Sequence, residues 1–168
     1  YDFYVQHNLL DELKAEPGKR FTANGVIYSY ARNEVWQVGD CQCIIDNLYS
    51  SNEKEIDAIM ADVRAVVNEV ALLGGATMKD LESHDPGREF IYPFLQKQAL
   101  LQNCPIQGQQ FSFSVFDGFP IQMEQVKVFP VGDAKEVVLA SDGYPHLYST
   151  LYASECYLAD ILEKDPLC

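Results

Sequence analysis

The chain has 168 residues, with 25 Asp+Glu against 12 Lys+Arg and a formal net charge of −13. That length suits one domain with a core that needs neither disulfides nor structural metal. A 48% hydrophobic and 22% charged composition excludes a disordered or collagen-like chain. The acidic balance argues against duplex nucleic acid or an anionic membrane surface as the main partner and leaves room for divalent cations. No apolar run approaches the roughly 20 residues of a membrane span, and Tyr1-Asp2-Phe3-Tyr4 does not read as a signal peptide.

Taken in chain order, Tyr1 to Ala15 reads as a helix with Phe3, Leu9, Leu10 and Leu13 on its apolar side, stopped by Pro17-Gly18. Phe21 to Tyr30 and Val35 to Ile45 are strand-like, joined by a turn at Ala31-Arg32-Asn33-Glu34, and read as a hairpin. Asn52 to Leu73 is the strongest helix. Ile56, Ile59, Met60, Val63, Val67 and Val70 repeat with a 3.6-residue period, Asn52 and Glu55 resemble a capping box, and Gly74-Gly75 supplies the stop.

Asp85-Pro86-Gly87 reads as a loop or cap, and a further helix is expected from about Pro93 to Leu101. After Cys104-Pro105 three strands are predicted: Phe111 to Phe116, Ile121 to Val131 and Glu136 to Ala140. Asp117-Gly118 and Gly132-Asp133 are the expected turns between them. A last helix runs from Ser149 to Lys164 with Leu151, Leu158, Ile161 and Leu162 buried, ended by Pro166. Strands and helices come in blocks rather than in β-α-β alternation, which predicts an α+β fold.

The five cysteines, Cys41, Cys43, Cys104, Cys156 and Cys168, are odd in number and irregular in spacing. Reduced, partly buried thiols in a cytoplasm-like compartment follow as the expectation. The thiols of Cys41-Gln42-Cys43 are expected on opposite faces of a strand, which would prevent a shared zinc site.

Two aspartates stand at strand ends. Asp40 follows Val35-Trp36-Gln37-Val38-Gly39, and Asp142 follows Val137-Val138-Leu139-Ala140-Ser141. A carboxylate at the end of a buried strand is costly unless paired, hydrogen-bonded or bound to metal. Mg²⁺ and Mn²⁺ favour such oxygen ligands. The plainer alternative is that each Asp accepts backbone N–H bonds in its turn. His146, near the second motif, is a further candidate ligand or proton donor, against simple loop packing. His7 and His84 read as surface or capping residues, and the tyrosines Tyr144, Tyr148, Tyr152 and Tyr157 as helix packing.

The order and spacing of these motifs resemble the type-2C (metal-dependent) Ser/Thr protein phosphatase family. Phe21-Thr22-Ala23-Asn24-Gly25-Val26-Ile27 is similar to that family's strand leading into its first motif. Gly39-Asp40-Cys41-Gln42 is similar to its Gly-Asp-Ser-Arg motif, and Leu139-Ala140-Ser141-Asp142-Gly143 to its later Ser-Asp-Gly motif. The resemblance implies a layered α-β-β-α sandwich of two mainly antiparallel sheets with flanking helices. It implies hydrolysis of phosphoserine or phosphothreonine on proteins by a water held on two Mn²⁺ or Mg²⁺ ions. Asp142 then matches a metal-bridging catalytic ligand, and Asp40 an aspartate near the metal centre that helps hold a further ion.

The departures are equally specific. Cys41-Gln42 replaces Ser-Arg, and His146 stands where the family often has an acidic residue. The family's early Asp-Gly-His-type and late Asp-Asn motifs are not matched, which implies a single phosphatase-like domain over 1–168, incomplete at both ends. Val115-Phe116-Asp117-Gly118 imitates the early motif but is better read as a hairpin turn. The rival reading is a catalytically silent relative that binds or regulates a phosphoprotein. A third, unrelated reading is an acidic binding module whose aspartates only shape turns.

Overall fold

A computed structural model describes residues 1–104, 110–165 and 167. The fold is α+β, with helices and two three-stranded antiparallel sheets. The first sheet has strand order β1 (Gly25–Ser29), β2 (Glu34–Val38), β5 (Lys127–Pro130). The second has order β4 (Leu48–Ser51), β3 (Cys41–Ile45), β6 (Val137–Ser141).

The run expected as one strand, Val35 to Ile45, is two. Gly39 takes φ +74, a conformation L side chains avoid, and there the chain passes from the first sheet into the second. The sheets face each other through Val35 of β2 and Cys43 and Ile45 of β3, closed by Val131 and by Val26, Phe129 and Val137. Gln37 is fully buried, and its side chain reaches the Cys41 and Ser50 carbonyls of the second sheet at 3.3 Å. It is a polar link between layers, satisfied as a buried amide must be.

All five residues of β3 are buried, so both of its faces are covered. Cys41 and Cys43, two apart, share one face, because side chains alternate with period two. The expectation of opposite faces miscounted that alternation. Gln42 and Ile44 point the other way, where Leu147 and the backbone of the segment after β6 lie against Gln42.

Several expectations about elements are corrected. The first helix is two short ones, α1 (Asp2–Gln6) and α2 (Leu10–Ala15), separated where Asn8 adopts φ 56. The long helix α3 is Glu55–Leu73. Its capping box is not formed, because Asn52 instead donates to the Gly39 carbonyl at 2.8 Å. The unpredicted α4 (Met78–Ser83) has the true capping box, between Thr77 and Asp80. Helix α5 (Pro86–Lys97) begins seven residues earlier than expected, with Asp85 as its cap and Pro93 inside it. Pro93 and Glu89 are both exposed, so water can reach the carbonyl whose donor the proline removes.

Phe111 to Phe116 forms no strand. It contributes isolated bridges, Phe113 to Gln102 and Phe116 to Ala23. Ile121 to Val131 is a strand only over β5, after a short 3₁₀ turn at Met123–Gln125. Since β5 and β6 belong to different sheets, Gly132-Asp133 joins layers and is no hairpin turn.

The last helix α6 is Leu151–Lys164. Thr150 caps it, Ser154 is its buried residue, and the expected core residues Leu151 and Leu162 are exposed. Pro105, Pro166 and Cys168 lie outside the described residues. Helices α3 and α5 pack on each other. Arg64 of α3 bonds both Asp85 and the Leu167 carbonyl, joining α3 to the start of α5 and the segment after α6. Among the described residues no helix is long and apolar enough to cross a membrane.

Candidate functional site

The site is built by strand register. β3 and β6 are antiparallel with Cys41 opposite Ser141. Asp40 directly precedes the first residue of β3, and Asp142 directly follows the last residue of β6. The two aspartates therefore leave the same end of the second sheet side by side. Gly39 allows the turn that presents Asp40, and its amide is held by Ser114 Oγ at 3.3 Å and its carbonyl by Asn52.

Asp40 is largely enclosed, with 17% of its side chain exposed, and Lys54 Nζ lies 3.3 Å from its carboxylate. Burial pushes the Asp40 carboxyl above its usual range. Lys54 opposes this, while the negative charges of Asp142 and Asp57 add to it. The two predicted aspartates are thus close enough to repel. Lys54 also bonds Asp57 at 2.8 Å and sits over the Phe113 ring. Burial works against its charge, but Asp57 and Asp40 outweigh burial and raise its pKa. Lys54 had no recognisable signal in the sequence, because its importance arises where α3 begins beside the Gly39 turn.

Asp142 is exposed. Behind it the segment Gly143–Tyr148 is pinned by Gln42. The Gln42 amide donates to the Tyr144 carbonyl at 2.6 Å, and its oxygen accepts from the Leu147 amide at 2.8 Å and the Tyr49 hydroxyl at 2.9 Å. Gln42 is therefore a buried organiser of the Asp142 loop. His146 stands among aromatic rings, 4.4 Å from Tyr49, 4.8 Å from Tyr148 and 6.0 Å from Tyr157. Those contacts describe loop packing.

The Cys41 thiol is pushed up to about 11 by burial and by the carboxylates of Asp142 and Asp40. It stays a thiol at neutral pH, which does not suit a nucleophile. Burial likewise raises Cys43.

Among the described residues, no three His, Cys, Asp or Glu side chains are grouped to hold a metal ion. Two repelling carboxylates can hold one Mg²⁺ or Mn²⁺ ion that keeps most of its waters. They do not make up the donor set of a two-ion centre.

Asp117 does not sit in the hairpin turn expected from the sequence. It is a buried carboxylate, paired with Arg20 Nη1 at 3.0 Å and accepting from Asn103 and the Phe119 amide at 2.9 Å. Asn103 also bonds both polar groups of the Val115 backbone. The cluster ties the chain before β1 to the 113–119 segment. Its contacts lie apart from Asp40 and Asp142. Comparison of the chain with protein-family models, with curated proteins and with solved structures gave no match.

Proposed function

We propose that this chain is a type-2C phosphatase-like domain, and that its Asp40–Asp142 edge serves the hydrolysis of phosphoserine or phosphothreonine esters on proteins. The observation that carries the reading is the register of β3 and β6, which puts the two strand-end aspartates of the resembling motifs at one sheet end. Asp142 is the exposed metal-side ligand and catalytic carboxylate. Asp40 is the enclosed second carboxylate. A Mn²⁺ or Mg²⁺ ion bound there would supply an acidified water and a template for phosphate.

The chain's own residues prepare that edge. Gln42 fixes the loop that carries Asp142. Lys54 stands 3.3 Å from Asp40 and opposes the burial that raises its pKa. A cytoplasm-like location belongs to the same reading, supported by the free thiols of Cys41, Cys43, Cys104 and Cys156.

The test is a Mn²⁺ titration followed by NMR line broadening, run beside Mn²⁺-dependent hydrolysis of p-nitrophenyl phosphate. Broadening should centre on Asp40 and Asp142. Asp142→Ala should weaken Mn²⁺ binding by at least the roughly 10- to 100-fold that loss of an outer-sphere partner costs, and should abolish turnover. Turnover unchanged by Asp142→Ala would overturn the catalytic role.

The silent-relative reading is favoured by Lys54, a built-in cation 3.3 Å from Asp40 that partly satisfies the acidic end without metal. It expects no Mn²⁺-dependent hydrolysis, together with binding of a phosphoprotein that Lys54→Met alters.

A further inference from the structure

We infer a second ligand site, for a small organic anion with an apolar body, in the cavity beside Arg20. The cavity encloses about 500 Å³ between the α2 segment, the 3₁₀ turn after α5 and the Phe119–Gln122 stretch. Its walls are apolar through Leu100, Phe119, Pro120 and Ile121. Its charged lining consists of Lys14 and Arg20, with no Asp or Glu among the described residues. In a chain of net charge −13 such a lining is unusual.

Arg20 is nine-tenths buried, with 10% of its side chain exposed. Its Nε donates to the Leu13 carbonyl at 2.8 Å and its Nη1 to Asp117 at 3.0 Å. The plane is held over the Phe119 ring at 4.1 Å. Nη2 has no hydrogen-bond partner among the described residues, although a guanidinium carries five donors. Asp117 cancels the charge of Arg20, so Lys14 sets the net charge of the lining at +1. Lys14 forms no ion pair among the described residues. A carboxylate or phosphate head accepting from Nη2 and facing Lys14, with its apolar body on the Leu100–Ile121 wall, satisfies all of these groups. That combination of apolar walls with a few placed polar groups is how small-molecule sites are generally made.

The site is independent of the phosphatase reading, and the test is run in EDTA so that no metal contributes. The whole chain is titrated with benzoate, inorganic phosphate and benzyl alcohol, and ¹H–¹⁵N spectra are recorded. Benzoate is expected to shift the amides of Leu100, Phe119 and Ile121 saturably, and more tightly than either phosphate or benzyl alcohol. Lys14 is exposed, so Lys14→Glu should keep the fold and weaken benzoate by about tenfold. Arg20→Lys, which retains a charge opposite Asp117 but loses the planar donors, should weaken it as well. Benzyl alcohol binding as tightly as benzoate, phosphate binding more tightly, affinity unchanged in Lys14→Glu, or no saturable shift would each overturn the site.

Discussion

Asp117 and Asp142 show how little a residue type says without its surroundings. Each is an Asp-Gly pair after an apolar run. Asp142 emerges at the end of β6 and is exposed, whereas Asp117 is buried against Arg20 and Asn103. The local pattern is nearly the same, and the difference comes from Arg20, which lies 97 positions away. No spacing rule reaches that far. Removing one partner of a buried pair leaves the other charge without compensation, at about 3–5 kcal/mol. Asp117→Ala should therefore lower unfolding free energy by roughly that amount in a urea melt, and a loss under about 1 kcal/mol would show that the pair does not hold this region. Asp40 and Asp142 were readable because a carboxylate ending an apolar strand is a local signal. Gln42 and Lys54 were not, because their roles lie in what folds against them.

Elements were legible where periodicity was long and sustained. Helix α3 was read almost to its ends, since six apolar residues repeat over 15 positions from Ile56 to Val70. Helix α5 was misread because Pro93 looked like a start. The true start is Asp85-Pro86, where the Asp85 carboxylate caps the helix through the Arg88 amide and also binds Arg64 and Asn68 of α3. Burial alone would raise the Asp85 pKa, but the Arg88 amide, Arg64 and Asn68 outweigh it and hold the pKa below the ordinary 3.8. A carboxylate with a lowered folded pKa contributes stability that is present above its unfolded value and lost as pH falls. Asp85→Ala should cost about 1–2 kcal/mol near neutral pH. The gap from wild type should shrink as pH falls below about 4. Urea melts across that range test it, and a gap that stays constant or widens on acidification would reject the assignment. Strands at 111–131 were over-predicted for a related reason: β-branched and aromatic composition marks a segment that can pair, and here only β5 finds a ladder.

At the scale of the whole molecule, Gly39 decides the architecture. It ends one sheet and starts the other, and a Cβ there would lie 2.2 Å from Asn24 Oδ1 and 3.0 Å from the Ser114 carbonyl. Its left-handed φ adds a penalty of about 1–2 kcal/mol for any L side chain. Gly39→Ala should lower Tm by several degrees, with at least that loss of stability. It should also shift the resonances of Asp40 and Asp142 together, because the turn presents one carboxylate to the other. An unchanged Tm would mean that the turn is not under this constraint.

The sequence by itself determined the α+β class, the long helix, and the two aspartates at strand ends, because periodicity, composition and strand-end polarity act over a few neighbouring residues. Tertiary structure alone decided that Val35–Ile45 divides between two sheets, that Asp40 meets Asp142 through the pairing of β3 with β6, that Lys54 stands against Asp40, and that Asp117 is buried with Arg20. Each of these is a contact between distant parts of the chain, set by which surfaces bury together rather than by any local preference.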